Sequence, residues 1–369
     1  MVEAMANSVE DRLIDGLSFK LAPGASYITD RRSVTFHPQG SNSYSAVSGT
    51  KLIRIVLTGD SWMDPTTFRI MFDVRNNDNT SGHHSRPLKS PWSFFRRMRV
   101  LAGGQLVEDI DYYNRVHEMF SNLISKDSVL NNSAEGFGYD LSQPIDFYST
   151  YRLTGIPPGQ SQTVLFKPLS GILNQGKYLP LRYMPLTIEL ELVNEPLDPI
   201  ADPAIASQDE FITDNTSTDW RLENVQVKVD MCTLDNTLDN NYAQILLSGK
   251  SLPINYNTWV SQYQSIAQQK APTINVTRAL TRLKSVFVSL DKDFNGVARK
   301  KAFRKYWNDF YSPAYLDIAE TRNGVTYANY NNYMTYNKDG EFEFQLQIGS
   351  KLYPEYSRSE EHTSELQSH

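Results

Sequence analysis

The sequence has little of what disulfide-linked, secreted or membrane-spanning proteins carry. Its 369 residues include one cysteine, Cys232, so no disulfide can form within the chain. No apolar run approaches the length of a transmembrane helix, and the N-terminal stretch contains Glu3, Glu10 and Asp11 without an apolar core, unlike a signal peptide. The formal net charge is -6 and neither end is a basic tail, so we do not expect direct binding to nucleic acid.

Patterns that would indicate catalysis or a cofactor are missing as well. Gly103-Gly104 lacks the Lys-Ser/Thr of a phosphate-binding loop, and there is no Gly-x-Ser-x-Gly element. His83 and His84 have no Cys or His at ligand spacing, so we interpret them as solvated loop residues. His117 is expected on the polar, surface side of a helix. We therefore expect no catalytic residue, no metal site, no cofactor and no enzymatic activity.

What the sequence does contain is short segments in which apolar and polar residues alternate, which is typical of half-buried antiparallel strands. The clearest is 186–192, with four apolar residues on one face and Thr187, Glu189 and Glu191 on the other. Residues 94–111 predict two strands joined by a tight Gly103-Gly104 turn. Further strands are predicted at 33–48, 51–59, 68–74, 224–231, 276–290 and 341–357, and the stretch 163–193 holds another apolar strand before its Gly-marked turn.

Helices are expected only in the connections, at 111–127, near 238–248 and near 258–268. The first has an apolar stripe at helical spacing that would face the core: Tyr112, Val116, Met119, Phe120, Leu123 and Ile124. Many short strands with helices in loops predict an all-β fold of antiparallel sandwiches, and sandwiches with long end loops are jelly rolls. Capsid proteins, lectins and cupins share that fold, so it does not choose a function.

Two sequence motifs narrow the choice among these classes of protein. VLAGGQLVEDID (100–111) contains Gly103, Gly104 and Gln105, and LFKPLSGILNQGKYLPLRYMPLTIELEL (165–192) contains the bend Leu179, Pro180 and Leu181. In this order the two motifs resemble the first jelly roll of double-jelly-roll major capsid proteins of nucleocytoplasmic large DNA viruses, virophages and polinton-type elements. The resemblance covers roughly 50–193 well and 220–357 loosely, where EFQLQIGSKLYPEYS resembles the matching hairpin of a second roll.

The resemblance implies a structural protein of a double-stranded DNA virus. Such a chain forms a homotrimer, and the trimers, as pseudo-hexagonal capsomers, tile the icosahedral shell of a virion assembled inside the host cell. Neighbouring capsomers, a penton protein and minor capsid proteins would be its partners. The loops 128–161 and 292–340, the latter rich in tyrosine, would form the outer surface. A basic patch would contact a neighbour or, alternatively, be a solvated face: Arg299, Lys300, Lys301, Arg304 and Lys305.

The predicted domains are an N-terminal arm (1–30), a first jelly roll (31–195), a linker (196–220), an incomplete second jelly roll (221–357) and a tail (358–369). Residues 358–368, RSEEHTSELQS, resemble a translated sequencing adapter; a natural disordered terminus is the alternative. If the second roll is incomplete, the apolar faces of 225–231 and 342–348 should be partly uncovered and this chain should not trimerise. A carbohydrate-binding or adhesive β-sandwich protein and a jelly-roll enzyme remain the alternative functions.

Overall fold

A computed structural model describes the chain mainly at residues 27–121, 155–200, 217–264 and 344–358, apart from 48, 86, 88 and 89. It also describes the shorter pieces 123, 136, 273–276, 280, 282–288, 320–322 and 325–327. The all-β prediction is confirmed, because strands predominate and the helices are short.

The strands, in chain order, are β1 (Ile28–Phe36), β2 (Ser43–Tyr44), β3 (Leu52–Leu57), β4 (Trp62–Asn76), β5 (Phe95–Ala102), β6 (Gln105–Ile110), β7 (Ser161–Phe166), β8 (Leu179–Pro180), β9 (Leu186–Leu192), β10 (Trp220–Leu234), β11 (Glu320–Arg322), β12 (Val325–Tyr327), β13 (Phe344–Ile348) and β14 (Lys351–Arg358). The α-helices are α1 (Tyr113–Ser121), α2 (Gly171–Asn174) and α3 (Asn236–Leu247), and a 3-10 turn spans Pro91–Phe94.

Two antiparallel sheets form a sandwich. One has the strand order β1-β10-β4-β7, with β2 paired to β10 and β8 paired to β4. The other has the order β3-β9-β5-β6. The buried side chains of both sheets belong to one hydrophobic cluster, in which the ring centroids of Phe72 on β4 and Phe95 on β5 lie 5.4 Å apart. The two sheets therefore pack face to face over a single core.

Strand β9 shows why this sequence folds as a sandwich. Leu186, Ile188, Leu190 and Leu192 are fully buried, whereas the polar residues between them are half-buried on the outer face. Burial of one such side chain stabilises the fold by about 1.5–3 kcal/mol. The predicted alternation of 186–192 is confirmed, and it places β9 in the middle of its sheet, between β3 and β5.

Strand β10 corrects the expectation that residues 224–231 open the second roll. The apolar face of this strand is buried as the alternation predicts, but β10 lies between β1 and β4 in the first sandwich. The apolar face of 225–231 is therefore covered, contrary to the expectation that it would be exposed. Residues 220–234 complete the first sandwich; the rest of the predicted domain division stays a prediction.

Two of the three predicted helices are confirmed, and the third is wrong for the residues that the structure describes. The helix near 238–248 is confirmed by α3, and 111–127 contains α1, which ends at Ser121. Residues 258–264 are not helical, and Trp259 among them packs against the core of the first sandwich. The predicted strand at 276–290 is wrong for 282–288, which have no β pairing, and their apolar side chains are exposed.

The predicted hairpin at 341–357 is confirmed by β13 and β14, which pair antiparallel around Gly349. Its apolar side, which Leu346 and Ile348 share with Tyr353, is largely exposed: Ile348 retains 46% and Tyr353 48% of their accessible surface. That exposure agrees with the expectation of an uncovered face at 342–348 for the side chains that the structure describes.

Candidate functional site

The Gly-Gly-Gln motif forms the turn between β5 and β6. Gly103 has φ +56° and Gly104 has φ +85°, the left-handed region that a two-residue hairpin requires at both positions. The Gly103 amide donates a hydrogen bond of 2.9 Å to the carbonyl of Pro185, the residue before β9. Gln105 is exposed and begins β6. The turn is thereby fixed to the start of the central strand.

The Leu-Pro-Leu motif is a core element. Leu179 and Leu181 are almost fully buried, and Pro180 is buried with them. Strand β8 pairs with β4 at Trp62 and Met63. The bend leads into β9, so it and the glycine turn, through Pro185, both contact the chain at the start of the same strand. These two motifs are turn and core residues, with no chemistry of their own.

The basic patch Arg299, Lys300, Lys301, Arg304 and Lys305 lies outside the described residues, as does most of the tyrosine-rich 306–336 segment.

His83 and His84 do lie in a loop but are half-buried rather than solvated. His83 Nδ1 is 2.7 Å from Asp78 Oδ2, and hydrogen bonds from Thr80 and then His83 lower the pKa of Asp78. Within the described part of the chain, no cluster of three or more His, Cys, Asp or Glu residues could hold a metal ion.

His117 was expected at the surface, and the structure corrects this. It lies on the inward face of α1, where its ring centroid is 3.8 Å from that of Trp92 and its Nε2 is 3.2 Å from the Lys167 carbonyl oxygen. Burial lowers the pKa of His117 to about 3. The imidazole is therefore neutral at physiological pH, packed among aromatic rings.

Helix α1 is turned opposite to the prediction. Its buried residues are mostly polar: Tyr113, Asn114, His117, Glu118 and Ser121. Of the predicted apolar stripe, Tyr112, Met119 and Phe120 are only half-buried and Leu123 is exposed, whereas Val116 packs against the core. The polar face can be buried because it has partners: Glu118 Oε2 accepts hydrogen bonds of 2.6 Å from Ser90 Oγ and 2.9 Å from Trp92 Nε1. Sequence reasoning missed this network because the partners of Glu118 lie more than 25 residues away.

Glu108 is a second buried carboxylate that sequence reasoning missed. It occupies an inward position of β6 with 2% of its surface exposed. It accepts hydrogen bonds from the Ser170 hydroxyl and, at 2.7 Å, from the Gly171 amide. Burial raises the pKa of Glu108, and these hydrogen bonds oppose part of that rise. An acidic residue in phase with Ile110 in the alternating segment 105–110 was the signal that could have found it.

The outer face of the four-stranded sheet is charged and internally paired. Glu189 lies between Arg54, at 3.8 Å, and Arg99, at 3.3 Å, and Arg97 makes two bonds of 2.7 Å to Asp109. Because basic and acidic residues alternate across this face, it favours neither a cationic nor an anionic ligand.

Apolar surface is exposed elsewhere, in the segment 273–288. Each of its exposed apolar residues retains between 44% and 64% of its accessible surface: Ile274, Val276, Leu280, Leu283, Val286, Phe287 and Val288. Contiguous exposed apolar surface marks a protein contact more often than a solvated face. The described residues include no helix long and apolar enough to cross a membrane.

Comparisons with solved structures find viral capsid proteins at low identity. PBCV-1 VP54, fitted into a cryo-EM reconstruction of the virophage Sputnik, is 14% identical with a TM-score of 0.37, covering 62% of this chain and 48% of that one. The Sputnik virophage structure is 10% identical with a TM-score of 0.38, covering 57% and 49%. The mavirus major capsid protein is 12% identical with a TM-score of 0.34, covering 66% and 54%.

This chain thus spans about half the length of the solved structures it matches. No protein-family model matches the sequence, and no curated protein matches it. Since every one of these TM-scores is below 0.5, the strand pairing described above, rather than these similarities, establishes the all-β fold.

Proposed function

We propose that this chain is a major capsid protein, a structural protein without a catalytic role. The homotrimers of the proposal require a second roll that is whole; they serve as pseudo-hexagonal capsomers, and these tile the icosahedral shell of a double-stranded DNA virus assembled inside the host cell. Penton and minor capsid proteins are its further partners.

The observation that carries the proposal is the relation between the two motifs that resemble the capsid family. The glycine turn at 103–104 is hydrogen-bonded to Pro185, and the bend at 179–181 leads into the same strand. Both motifs therefore act in one place, around the central strand of an antiparallel sandwich. Motifs that matched by chance would have no reason to converge on one element.

A second supporting feature is the exposed apolar surface of 273–288 and of the β13–β14 hairpin. A soluble monomer rarely exposes so many large apolar side chains, whereas an obligate oligomer buries them in interfaces of about 2,000–5,000 Å² or more. Repeated copies of one chain tend to close into symmetric assemblies, and a trimer is one such closed form.

The test is the molar mass of the protein expressed from its full-length gene, measured by light scattering during size-exclusion chromatography. The proposal predicts three chains per particle over a hundredfold range of protein concentration. A monomer that binds glycans in a parallel panel would instead support the carbohydrate-binding alternative and refute the proposal.

The basic patch at 299–305 stays part of the proposal as a contact with an adjacent capsomer or an internal component. Replacing Lys300 and Lys301 by glutamate should impair shell assembly while leaving trimers intact. As a control, the exposed Lys228 and Lys250 can be reversed in the same way. Particles of the Lys300/Lys301 variant with unchanged assembly and stability would remove the patch from the proposal.

A further inference from the structure

Residues 253–263, called the crossing segment below, are attached to the first sandwich. Three of its side chains pack against the hydrophobic core cluster: Ile254, Tyr256 and Trp259. Tyr256 Oη donates a hydrogen bond of 3.2 Å to the Val107 carbonyl of β6, and Ser261 Oγ donates to the Asp111 carbonyl that follows β6. Apolar packing and hydrogen bonds therefore hold this segment to the sandwich together.

The crossing segment rests in a seat formed by Glu108, Ser170 and Gly171. A Cβ atom at Gly171 would lie 1.9 Å from the backbone oxygen of Asn257, so a side chain there would force one of the two backbones to move. Thr258 hydrogen-bonds to the Glu108 carboxylate, which also accepts from the Ser170 hydroxyl and, at 2.7 Å, from the Gly171 amide. One buried carboxylate thus joins β6, the first turn of α2 and the crossing segment.

The seat gives the two sequence motifs a shared role. Glu108 belongs to the motif 100–111 and Gly171 to the motif 165–192. The polar residues of the two motifs therefore meet the crossing segment at one point, in addition to the contact of the glycine turn with β9.

The crossing segment and α1 form an aromatic surface. The Trp259 ring packs edge-on against Phe120 with centroids 5.5 Å apart, and Tyr263 stacks on Tyr112 at 4.8 Å. Tyr112, the residue before α1, has a φ of +48°, which a bulky residue adopts only where its surroundings hold it. These ring contacts fix the start and the end of α1 against the crossing segment.

The chain beyond the crossing segment returns to the same surface. The Phe287 ring packs edge-on against Phe120 with centroids 5.0 Å apart, and Gln262 Nε2 donates a hydrogen bond of 2.6 Å to the Asn275 carbonyl. Residues 282–288 have no β pairing, so side-chain contacts attach them here. Phe120 thus contacts one ring from each of two later segments of the chain.

The path of the chain after β10 explains why this surface matters. β10 completes the first sandwich and leads into α3, a helix that buries no residue. Burial and hydrogen bonding to the sandwich resume in the crossing segment. The chain therefore does not leave the first sandwich directly after β10, because it is anchored again beside β6.

We propose that α1 and the crossing segment are an intramolecular docking surface, which fixes residues 273–288, and through them the rest of the chain, to the first sandwich. Phe120 is its central positioning residue, and Glu108 and Gly171 position the crossing segment. The first structural unit then extends beyond residue 263, past the predicted linker. The inference does not rest on the proposed capsid function, because it concerns contacts within one chain.

The first experiment compares Phe120→Ala with Leu123→Ala in the full chain. Leu123 is a matched control, an apolar residue three positions further along that is 67% exposed. Chymotrypsin cleavage after Phe287, followed by mass spectrometry, should be about tenfold faster in Phe120→Ala than in the control, since the lost ring contacts permit local opening. Cleavage after the buried Phe72, which reports opening of the sandwich itself, should stay at the control rate.

A conservative variant separates the ring contact from a general loss of stability. Phe120→Tyr keeps the ring, so cleavage after Phe287 should return to within about twofold of the control. Control-rate cleavage in Phe120→Ala, no recovery in Phe120→Tyr, or an equal rise after Phe72 would each overturn Phe120 as the positioning residue.

The second experiment tests the seat by comparing Gly171→Ala with Gly176→Ala. Gly176 is a matched control, since a Cβ there would meet no atom within 4 Å. Chymotrypsin cleavage after Trp259 should be about tenfold faster in Gly171→Ala, because the backbone of the crossing segment must move away from the new Cβ.

A further variant keeps this test decisive if Gly171→Ala does not fold. Thr258→Val removes one hydrogen bond to Glu108 and should speed cleavage after Trp259 by about threefold. Cleavage at the control rate in every folded variant would overturn the seat. Faster cleavage after Trp259 without a rise after Phe287 would show that the crossing segment does not carry the later part of the chain, and would overturn the docking surface.

Discussion

The β5–β6 and β13–β14 hairpins have the same sequence layout and opposite surroundings. β5–β6 turns at Gly103-Gly104 and β13–β14 turns at Gly349, which also has a positive φ, of +62°. In the first hairpin Met98 is 1% exposed, whereas in the second Ile348 is 46% exposed. Within the described residues β13–β14 pairs with no other strand, while β5 is flanked by β6 and β9.

The difference shows that alternating apolar and polar residues with a glycine turn fix the register of a hairpin. They do not determine whether another part of the protein covers its apolar face. A two-stranded hairpin is marginal in water until a third strand or a second layer covers its apolar face. β5–β6 has both, in β9 and in the sheet that contains β4. Within the part of the chain that the structure describes, the second hairpin is thus a region that requires a partner.

Truncation of one apolar side chain in each hairpin should give the largest difference in stability between the two. Met98→Ala removes a buried side chain and leaves a cavity, so we expect a loss of about 2–5 kcal/mol in the free energy of unfolding. Ile348→Ala should change it by less than about 0.5 kcal/mol because the side chain is exposed. Urea unfolding followed by circular dichroism measures both. Equal losses would show that the second hairpin is packed against a core.

The burial of His117 should also be visible in the pH dependence of the free energy of unfolding. His117 has a folded-state pKa of about 3, below its ordinary value of 6.5. The unfolded chain therefore binds this proton first, so stability is full above pH 6.5 and falls as the pH drops toward 3. The limiting slope from this group is about 1.4 kcal/mol per pH unit.

His117→Gln is the control for that slope, because its amide can still donate to the Lys167 carbonyl but does not titrate. Glu108 acts in the opposite direction, since its raised pKa means that its contribution falls as the pH rises. It is present in both proteins and cancels in the difference. Identical slopes for wild type and His117→Gln between pH 6.5 and 4.5 would contradict the burial of His117.

Substitutions in the two glycine turns should give the smallest difference in stability between the hairpins. Gly104→Ala places a Cβ in the left-handed region and should cost the sandwich about 1–2 kcal/mol. Gly349→Ala meets the same local strain, but it should leave the main unfolding transition unchanged because its hairpin is not packed into the sandwich. Thermal unfolding of the two variants beside Gly176→Ala measures this. A lower melting temperature for Gly349→Ala would mean that the two regions unfold together.

The sequence allowed the local elements to be predicted better than their partners. Strand β9 and the turn at Gly103-Gly104 follow from alternation and backbone preference alone. β10 was correctly predicted as a strand and wrongly assigned to a second unit, because alternation carries no information about the sheet that a strand joins. α1 was predicted with its apolar stripe inward, since the stripe gave no sign that residues 259–263 cover it.

The candidate site was predicted only in part. The family motifs fall on a turn and a bend, where their glycines and apolar residues are needed. The buried carboxylates Glu108 and Glu118 were missed, because hydrogen-bond partners brought together by the fold make their burial tolerable. Neither the strand pattern nor the spacing of charges reveals such partners.

The most direct test of the assembly proposal is electron microscopy of the protein expressed from its full-length gene. We predict class averages with threefold symmetry and a near-hexagonal outline, in which every particle contains three chains. Particles the size of one chain, with no symmetry at any concentration that keeps the protein soluble, would contradict the proposal.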